Sequence, residues 1–296
     1  MTAARASRRI RRALTASAGA VALAASSIGL WATTGSTSRV TGLPTPAHVV
    51  VVVMENHSYA QVIGSSDAPY INRTLKAGGA NLTRSFGLTH PSEPNYYMLF
   101  SGSGQGRTDD SCARAGSLSA PSLASELIAS GRTWASYNEG LPHQGSTVCR
   151  SGEYARKHNP WFAFSAVPTS TAKTMKQFPA DFTNLPTESF VVPNLCHDMH
   201  DCPVSTGDTW IHRKLGAYAD WARTHNSLLV LTFDEDDGRS GNHIPTVLYG
   251  EHVAPGSSSG VPCNHYTLLR TLEDLAGLRT HAGHAASASD ITGIWK

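Results

Sequence analysis

The stretch Ala47-His48-Val49-Val50-Val51-Val52-Val53-Met54 decides the fold class of this chain of 296 residues. A continuous run of β-branched apolar residues is typical of a strand that is buried on both faces of a parallel sheet. The run ends in the polar residues Glu55-Asn56-His57. A second apolar run, Leu228 to Phe233, ends in the acidic turn Asp234-Glu235-Asp236-Asp237-Gly238. We therefore expect two buried strands whose carboxyl ends carry carboxylates.

Helical patterns lie between and after these two strands. The spacing of apolar residues predicts helices over 69–76, 122–129, 208–224 and 266–275, and further strands over 80–86, 189–192 and 246–249. Strands that alternate with helices indicate an α/β fold with a mostly parallel central sheet. Ligands bind such sheets beyond the carboxyl ends of the strands, so we expect the functional site beside the two acidic strand ends.

The first 38 residues have the order of an export signal. Five arginines and no acid lie in the first twelve residues, an Ala-rich apolar run covers 13–32, and residues 33–38 are polar. A membrane anchor is the alternative, since about 20 apolar residues can span a bilayer. The abundance of Ala, Ser and Gly favours cleavage instead. We predict a signal peptide and polar spacer over 1–38, one domain over 45–296, and a secreted or extracytoplasmic protein with no stable membrane insertion after cleavage.

The pair Arg8-Arg9 fits a twin-arginine signal, but the choice between the Sec and Tat export routes stays open.

The charge balance excludes one class of partner. The whole chain has 24 Lys and Arg against 22 Asp and Glu, and the rest of the chain is slightly acidic once the five early arginines are set aside. Nucleic-acid binding needs a basic surface that displaces counterions, so we expect no nucleic-acid partner.

The five cysteines agree with export to an oxidising compartment. We expect one disulfide between Cys196 and Cys202, which bracket a short His- and Asp-rich loop, and a second between Cys112 and Cys149. Cys263 is then left over. A zinc site is the weaker alternative, because the chain has no pair of cysteines separated by two residues.

The segment Thr89-His90-Pro91-Ser92-Glu93-Pro94-Asn95-Tyr96-Tyr97 reads as the start of a helix, with Ser92 as the cap. A serine at a helix start can also have a catalytic role. The free N–H groups and the positive end of the helix dipole stabilise an alkoxide or a phosphate there. From these residues alone, Ser92 can be either a helix cap or a nucleophile.

The acidic turn that begins at Asp234 is either a solvated turn or a cation site. Crowded carboxylates repel one another unless a cation lies among them, and hard cations prefer oxygen ligands. Glu55 and Asn56 offer a carboxylate and an amide oxygen after the other buried strand, which favours the metal. The loop from Cys196 to Cys202 carries His200, a candidate for phosphate contact or acid catalysis, because histidine titrates near neutral pH.

Five motifs, taken in order, resemble those of the bacterial phosphoesterase family, which includes phospholipases C and secreted acid phosphatases: Glu55-Asn56-His57, Thr89 to Tyr96, Asp198-Met199-His200-Asp201, Thr232-Phe233-Asp234-Glu235, and His265. The chain is most similar to secreted acid phosphatases of the SapM type, from about Pro46 to Trp295. The family belongs to the alkaline phosphatase superfamily. The resemblance implies a three-layer sandwich with a central mostly parallel sheet and a metal-assisted phosphate site.

The resemblance also implies a role for each matching residue. Ser92 corresponds to the nucleophile, with Thr89 as the fallback, and His200 and His265 contact the phosphate or the leaving group. The implied substrate-binding residues are Asn95, His90 and Asp198, and both His90 and His243 are second-tier candidates. The implied ligands of a divalent metal ion, which could be Mg, Ca, Mn or Zn, are Glu55, Asn56, Asp234 and Glu235.

Two departures from the family pattern narrow the expected function. The larger phospholipases usually read Asp-Glu-His-Gly-Gly where this chain has Asp234 to Gly238, and Asp-His where it has Asn242-His243. We therefore expect an exported acid phosphatase that hydrolyses phosphate monoesters through a phosphoserine. Its substrate would be a small phosphate ester or a phospholipid head group. The alternatives are a phosphodiesterase or phospholipase C, and a non-catalytic phosphate- or metal-binding protein.

Overall fold

The buried strand predicted from the valine run is the fourth from one edge of an eight-stranded sheet. The computed structural model describes residues 42–296. The predicted signal peptide and spacer, residues 1–38, lie outside the described residues, and the predicted domain boundaries stay a prediction.

The strands are β1 His48–Met54, β2 Ala80–Leu82, β3 Ser85–Phe86, β4 Trp134–Asn138, β5 Arg150–Ser151, β6 Tyr154–Ala155, β7 Ala172–Thr174, β8 Glu188–Val192, β9 Ser227–Phe233, β10 His243–Ile244, β11 Thr246–Gly250, β12 Ser257–Ser259 and β13 Cys263–Asn264. The α-helices are α1 Tyr59–Val62, α2 Ser92–Ser101, α3 Leu123–Ala129, α4 Val204–Ala222 and α5 His265–Leu275. Ile71–Lys76 is π-helical, and short 3-10 helices cover Arg156–His158, Pro160–Ala163, Thr169–Thr171, Met175–Gln177, Phe182–Asn184 and Gly283–Ser287.

The central sheet has the strand order β12-β2-β11-β9-β1-β8-β4-β7. Only β11 runs against the other seven strands, because it pairs antiparallel with both β9 and β2. Small sheets β10-β3-β13 and β5-β6 lie beside it. The predicted α/β fold with a mostly parallel sheet is confirmed.

The sheet is covered on both faces, which explains the continuous valine run of β1. Val49, Val51 and Val53 pack into one core with side chains of α2, α3 and α5. Val50 and Val52 pack into a second core on the opposite face with side chains of α1 and α4. Successive residues of β1 therefore point alternately into the two apolar cores. The sheet and the helices on its two faces form a three-layer sandwich.

Parallel pairing brings the two acidic strand ends together. β1 lies beside β9 with Met54 opposite Phe233. The residues that follow, Glu55 and Asp234, therefore leave adjacent strands at the same edge of the sheet. The Asp234 amide donates a hydrogen bond to the Met54 carbonyl at 3.2 Å, which ties the two strand ends together.

Two sequence-based element predictions need correction. The single strand predicted over 80–86 is two strands in different sheets, because a turn at Thr83 and Arg84 separates β2 from β3. Helix α4 begins at Val204 and not at Asp208. Asp208 lies inside the helix, where its carboxylate accepts hydrogen bonds from the Tyr70 and Ile71 amides at 3.0 and 2.8 Å.

Two disulfides join Cys112 to Cys149 and Cys196 to Cys202, which are the predicted pairs. Cys263 has a free, buried thiol. Within residues 42–296, no helix combines the length and the hydrophobicity needed to cross a bilayer.

Candidate active site

Glu55 and Asp234 form the buried centre of the candidate site. Their residues are 0% and 1% exposed. The Asp234 carboxyl group contacts the Glu55 carboxyl group, and no other side chain within residues 42–296 hydrogen-bonds to it. Burial, together with the neighbouring Glu55 and Glu235 carboxylates, raises the pKa of Asp234 well above its usual range. This position therefore attracts a proton or a cation.

His158 bridges Glu55 and Asp198. Its Nε2 lies 2.6 Å from Glu55 Oε1, and its Nδ1 lies 3.0 Å from Asp198 Oδ2. Burial opposes a charge on the ring, but the Glu55 and Asp198 carboxylates outweigh it and raise the pKa of His158 above its ordinary value. Burial likewise opposes ionisation of Glu55, and the adjacent imidazolium lowers the pKa of Glu55 nonetheless. His158 is thus a buried cation held between two carboxylates.

Sequence reasoning missed His158. It lies in the short 3-10 helix Arg156–His158, within a connection that has no apolar periodicity to place it. The stretch Tyr154-Ala155-Arg156-Lys157-His158 is part of the resemblance to the phosphoesterases, and that was the available signal. The ring stacks on Tyr96 of α2 with centroids 5.3 Å apart, so the helix that carries Ser92 also positions His158.

Ser92 is the first residue of α2, and Pro91 takes the N-cap position. The interpretation of Ser92 as the cap is therefore wrong by one residue. Its side chain turns away from the helix, and Oγ donates a 2.9 Å hydrogen bond to Glu235 Oε1. Ser92 is 2% exposed. The hydroxyl thus lies against the carboxylates that follow β9, because its helix begins beside that edge of the sheet.

Asn95 and His90 surround the same carboxylate. Asn95 Nδ2 lies 3.5 Å from Glu235 Oε2, while its Oδ1 accepts the Leu88 and Thr89 amides at 3.0 and 3.1 Å. His90 Nδ1 lies 2.8 Å from Glu235 Oε2. The Thr89 hydroxyl points instead to the His90 carbonyl. Of the two hydroxyls, Ser92 is the one at the acidic cluster.

His200 stands at the opening of the site. Its Nδ1 lies 2.6 Å from Asp201 Oδ1, and its Nε2 lies 3.8 Å from Glu55 Oε2. The His200 amide donates to Asp198 Oδ1 at 2.8 Å, and the Cys196–Cys202 disulfide closes the loop. The imidazole is 30% exposed, so it can meet a ligand from solvent.

Two predicted contact residues have other partners. His265 is 1% exposed, and its Nε2 donates a 2.6 Å hydrogen bond to the Asp234 main-chain carbonyl. Burial lowers the pKa of His265 to about 4, so the ring is neutral. Asp198 is also buried and accepts from His158 and from the His200 amide. His265 and Asp198 therefore contact other site residues in this structure, and their expected contact with substrate stays a prediction.

Hydrogen bonds from backbone amides to Asp236 stabilise the rest of the acidic turn. Asp236 accepts hydrogen bonds from the Gly238, Ser240 and Asn242 amides at 2.6, 2.9 and 2.8 Å. Asn242 returns the contact, since its Oδ1 accepts the Asp236 amide at 2.8 Å. His243 stacks on Tyr59 with centroids 4.5 Å apart, and its Nε2 donates to a main-chain carbonyl, so it is not a ligand contact.

The predicted metal ligands fit a divalent cation in chemical type. Asp234 is buried in contact with the Glu55 carboxyl group, and Glu235 lies beside it. Asn56 is half-buried, and its side chain makes no hydrogen bond to residues 42–296. Across that same part of the chain, no set of three or more His, Cys, Asp and Glu side chains is arranged as a metal site. The donors are present, but Glu55 and Glu235 face His158 and Ser92.

A cavity of about 310 Å³ adjoins His200. Lys157 and Arg150 line it, together with the Cys112–Cys149 disulfide. A larger cavity of about 640 Å³ lies along the exposed face of α4 and shares no residue with the site. The smaller cavity is therefore the one through which a ligand would reach His200.

Comparisons with known proteins identify the family of this chain. Residues 65–279 match the phosphoesterase family. The chain is 49% identical over 280 residues to a phosphatidylinositol-3-phosphatase of Mycobacterium tuberculosis, covering 92% of this chain and 91% of that one. It is 28% identical to a probable acid phosphatase of Kluyveromyces lactis, covering 82% of this chain and 63% of the yeast protein.

Solved structures show the same fold. A member of the alkaline phosphatase superfamily from Vibrio parahaemolyticus superposes with a TM-score of 0.60 at 13% identity, over 84% of this chain and 70% of that one. The lipoteichoic acid synthase LtaP of Listeria monocytogenes gives 0.57 at 12% identity, over 81% and 74%. The fold is therefore that of the alkaline phosphatase superfamily. The chain belongs to the phosphoesterase family, and it is a phosphoric ester hydrolase.

Proposed function

We propose that this protein is an exported acid phosphatase that hydrolyses phosphate monoesters through a phosphoserine at Ser92. One observation carries the proposal. The Ser92 hydroxyl is buried at the start of α2 and donates to Glu235, which follows the central strand β9. A serine that only capped the helix would bind backbone amides of the first turn instead.

The first step transfers the phosphoryl group to the enzyme. Ser92 Oγ attacks phosphorus, its proton passes to Glu235 Oε1, and the bond between phosphorus and the alcohol oxygen breaks. Burial, followed by the neighbouring Glu55 carboxylate, raises the pKa of Glu235 above its usual range, which makes it a better proton acceptor. Glu235 thus activates the nucleophile as an adjacent base.

The phosphate oxygens need positive partners. The amino end of α2, a helix of ten residues, provides the positive end of a helix dipole beside Ser92. Asn95 Nδ2 and the imidazole of His90 both lie next to the same Glu235 carboxylate. These groups would hold the transferred phosphoryl group in line, since positioning and charge stabilisation are most of what phosphoryl transfer requires.

His200 is the proposed acid for the leaving alcohol. Its Nε2 faces the site, while Asp201 holds its Nδ1. The alcohol oxygen takes a proton from Nε2 as it departs, and His200 then accepts a proton from the water that attacks the phosphoserine. That second attack breaks the bond between phosphorus and Ser92 Oγ, which takes its proton back from Glu235 Oε1 as phosphate is released.

We also propose a divalent cation among Asp234, Glu235, Glu55 and Asn56. The burial of Asp234 beside the Glu55 and Glu235 carboxyl groups supports this, because a buried carboxylate is costly without a counter-charge. When bound, the cation would favour the ionised Ser92 hydroxyl and offset phosphate charge. Apart from the contact between the Asp234 and Glu55 carboxyl groups, Asp234 and Asn56 have no hydrogen bond to another side chain to give up within residues 42–296.

Export and substrate class complete the proposal. Two disulfides support a mature protein outside the cytoplasm, by Sec or by Tat. One relative is a phosphatidylinositol-3-phosphatase and others are acid phosphatases, which supports a phosphate monoester on a small alcohol or on a lipid head group.

The test compares two hydroxyl variants. Purified mature protein, Ser92→Ala and Thr89→Val are assayed against p-nitrophenyl phosphate and bis-p-nitrophenyl phosphate from pH 4 to 9. We expect hydrolysis of the monoester, a loss of about a thousandfold or more in Ser92→Ala, and near-normal turnover in Thr89→Val. Preference for the diester would indicate a phosphodiesterase. Phosphate binding without turnover of either ester would indicate a binding protein.

A further inference from the structure

The cavity beside His200 carries a positive charge that the proposed chemistry does not use. Arg150 lines this cavity of about 310 Å³, and the only hydrogen bond of its guanidinium within residues 42–296 is to the Gly152 carbonyl, at 3.5 Å. A contact that long and to a neutral carbonyl leaves most of its five donors available. The cavity therefore offers an uncommitted cation.

The other charged groups of the cavity are already engaged. Lys157 Nζ lies 2.9 Å from Asp110 Oδ2, and Asp110 Oδ1 accepts the Glu93 amide at 3.0 Å. Asp201 is paired with His200 Nδ1 at 2.6 Å. Each carboxylate of the cavity thus has a partner, and among residues 42–296 Arg150 is the charged residue of the cavity that forms no ion pair.

The wall that carries Arg150 is firmly held. Arg150 begins β5, which pairs with β6, and follows Cys149 of the Cys112–Cys149 disulfide. Behind it, the buried guanidinium of Arg156 donates to the Thr147 and Ala113 carbonyls. A fixed backbone at Arg150 lowers the entropy lost when its side chain contacts a ligand.

We infer that this cavity is the leaving-group subsite and that Arg150 selects substrates whose alcohol carries a second anionic group, such as a second phosphate. This rests on the proposed function, because His200 is the acid that would protonate the leaving oxygen. An alcohol whose oxygen meets His200 Nε2 must extend into the adjoining cavity. The interior of the site is rich in carboxylates, so an anionic alcohol needs a cation at this wall.

The same chemistry can come from a soluble sugar bisphosphate or from a phosphorylated lipid head group. Wild type, Arg150→Gln and Arg150→Lys are therefore assayed with four substrates. p-Nitrophenyl phosphate is the reference, fructose 1,6-bisphosphate is compared with fructose 6-phosphate in the soluble arm, and phosphatidylinositol 3-phosphate in phosphatidylcholine vesicles is the vesicle arm. Arg213→Gln is the matched control, since it removes the same charge from the other cavity.

We expect Arg150→Gln to leave kcat/KM for p-nitrophenyl phosphate unchanged and to lower it about tenfold for the substrates with a second anionic group. Arg150→Lys should restore part of the preference, and Arg213→Gln should have no effect. A lower kcat/KM of Arg150→Gln for fructose 1,6-bisphosphate indicates a soluble substrate, and a lower kcat/KM for phosphatidylinositol 3-phosphate indicates a lipid head group. An unchanged preference in both arms overturns the inference while p-nitrophenyl phosphate turnover still supports the proposed function. If wild type turns over none of these substrates, the proposed function itself is overturned.

Discussion

Replacing Glu273 with glutamine should change how the stability of the protein depends on pH. Glu273 lies on α5 and is 0% exposed. Its Oε1 accepts the Ala282 amide at 2.8 Å, and its Oε2 has no hydrogen-bond partner within residues 42–296. Burial raises the pKa of Glu273 from 4.5 to about 8, with the nearby Glu126 adding to the effect. Glu188 also lies close by and is buried with both oxygens unpartnered.

The sign follows from the two pKa values. The folded protein keeps its proton up to a pKa of about 8, whereas the unfolded chain releases it near the ordinary pKa of 4.5. The stabilising contribution is therefore fully present below pH 4.5 and is lost as the pH rises to about 8. At about 1.4 kcal/mol per pH unit, the free energy of unfolding falls by about 3 kcal/mol between pH 4.5 and 7, and by at most about 5 kcal/mol in all.

Glu273→Gln removes this titration and keeps an oxygen for the Ala282 amide. The variant and wild type should have similar unfolding free energies at pH 5. At pH 7 the variant should be more stable by about 3 kcal/mol, with Tm higher by about 2–4 °C for each kcal/mol. Urea unfolding at half-unit pH intervals measures the difference. Asp67→Asn is the control, because Asp67 is exposed on the surface.

A constant difference between Glu273→Gln and wild type from pH 4.5 to 8 would refute the reasoning. It would mean that Glu273 has the same pKa in the folded and unfolded chain. A variant that was less stable at pH 7 would also contradict it, because a buried ionised carboxylate beside Glu126 and Glu188 would then be tolerated at no cost.

Three further predictions concern the site and its supports. Asp236→Ala removes the acceptor of three backbone hydrogen bonds and should lower the unfolding free energy by about 2–3 kcal/mol, measured by urea unfolding; a loss below 0.5 kcal/mol would contradict the role given to the turn. His158→Phe removes the cation that pairs with both Glu55 and Asp198 and should lower the free energy of unfolding by about 3–5 kcal/mol near neutral pH; an unchanged free energy of unfolding would contradict this. Chelation should abolish turnover, and added Mg²⁺ or Mn²⁺ should raise Tm of wild type but not of Asp234→Asn; equal shifts in both would exclude Asp234 as a ligand.

The centre of the fold was predictable from the sequence for a physical reason. Five consecutive valines leave no polar face, so β1 had to lie between two layers of helices. Parallel strands end at one edge, which brought Glu55 and Asp234 together without any knowledge of the connections. The reversed direction of β11 was not predictable, because apolar periodicity carries no information about strand direction.

Several features of the site depend on contacts between residues that are distant in sequence. His158 lies in a 3-10 turn and acquires its partners, Glu55 and Asp198, only when three separate connections fold against one another. The ring of His265 could have pointed to solvent, to substrate or to backbone, and only packing directs it to the Asp234 carbonyl. The side chain of Ser92 turns from its own helix because Glu235 is within reach.

The phosphoserine at Ser92 can be tested most directly by trapping it. The protein is mixed with an excess of p-nitrophenyl phosphate at acid pH and quenched within milliseconds, and its peptides are analysed by mass spectrometry. We predict phosphate on the peptide that contains Ser92 and none on the same peptide from Ser92→Ala. Phosphate on another residue, or full turnover by Ser92→Ala, would contradict the account.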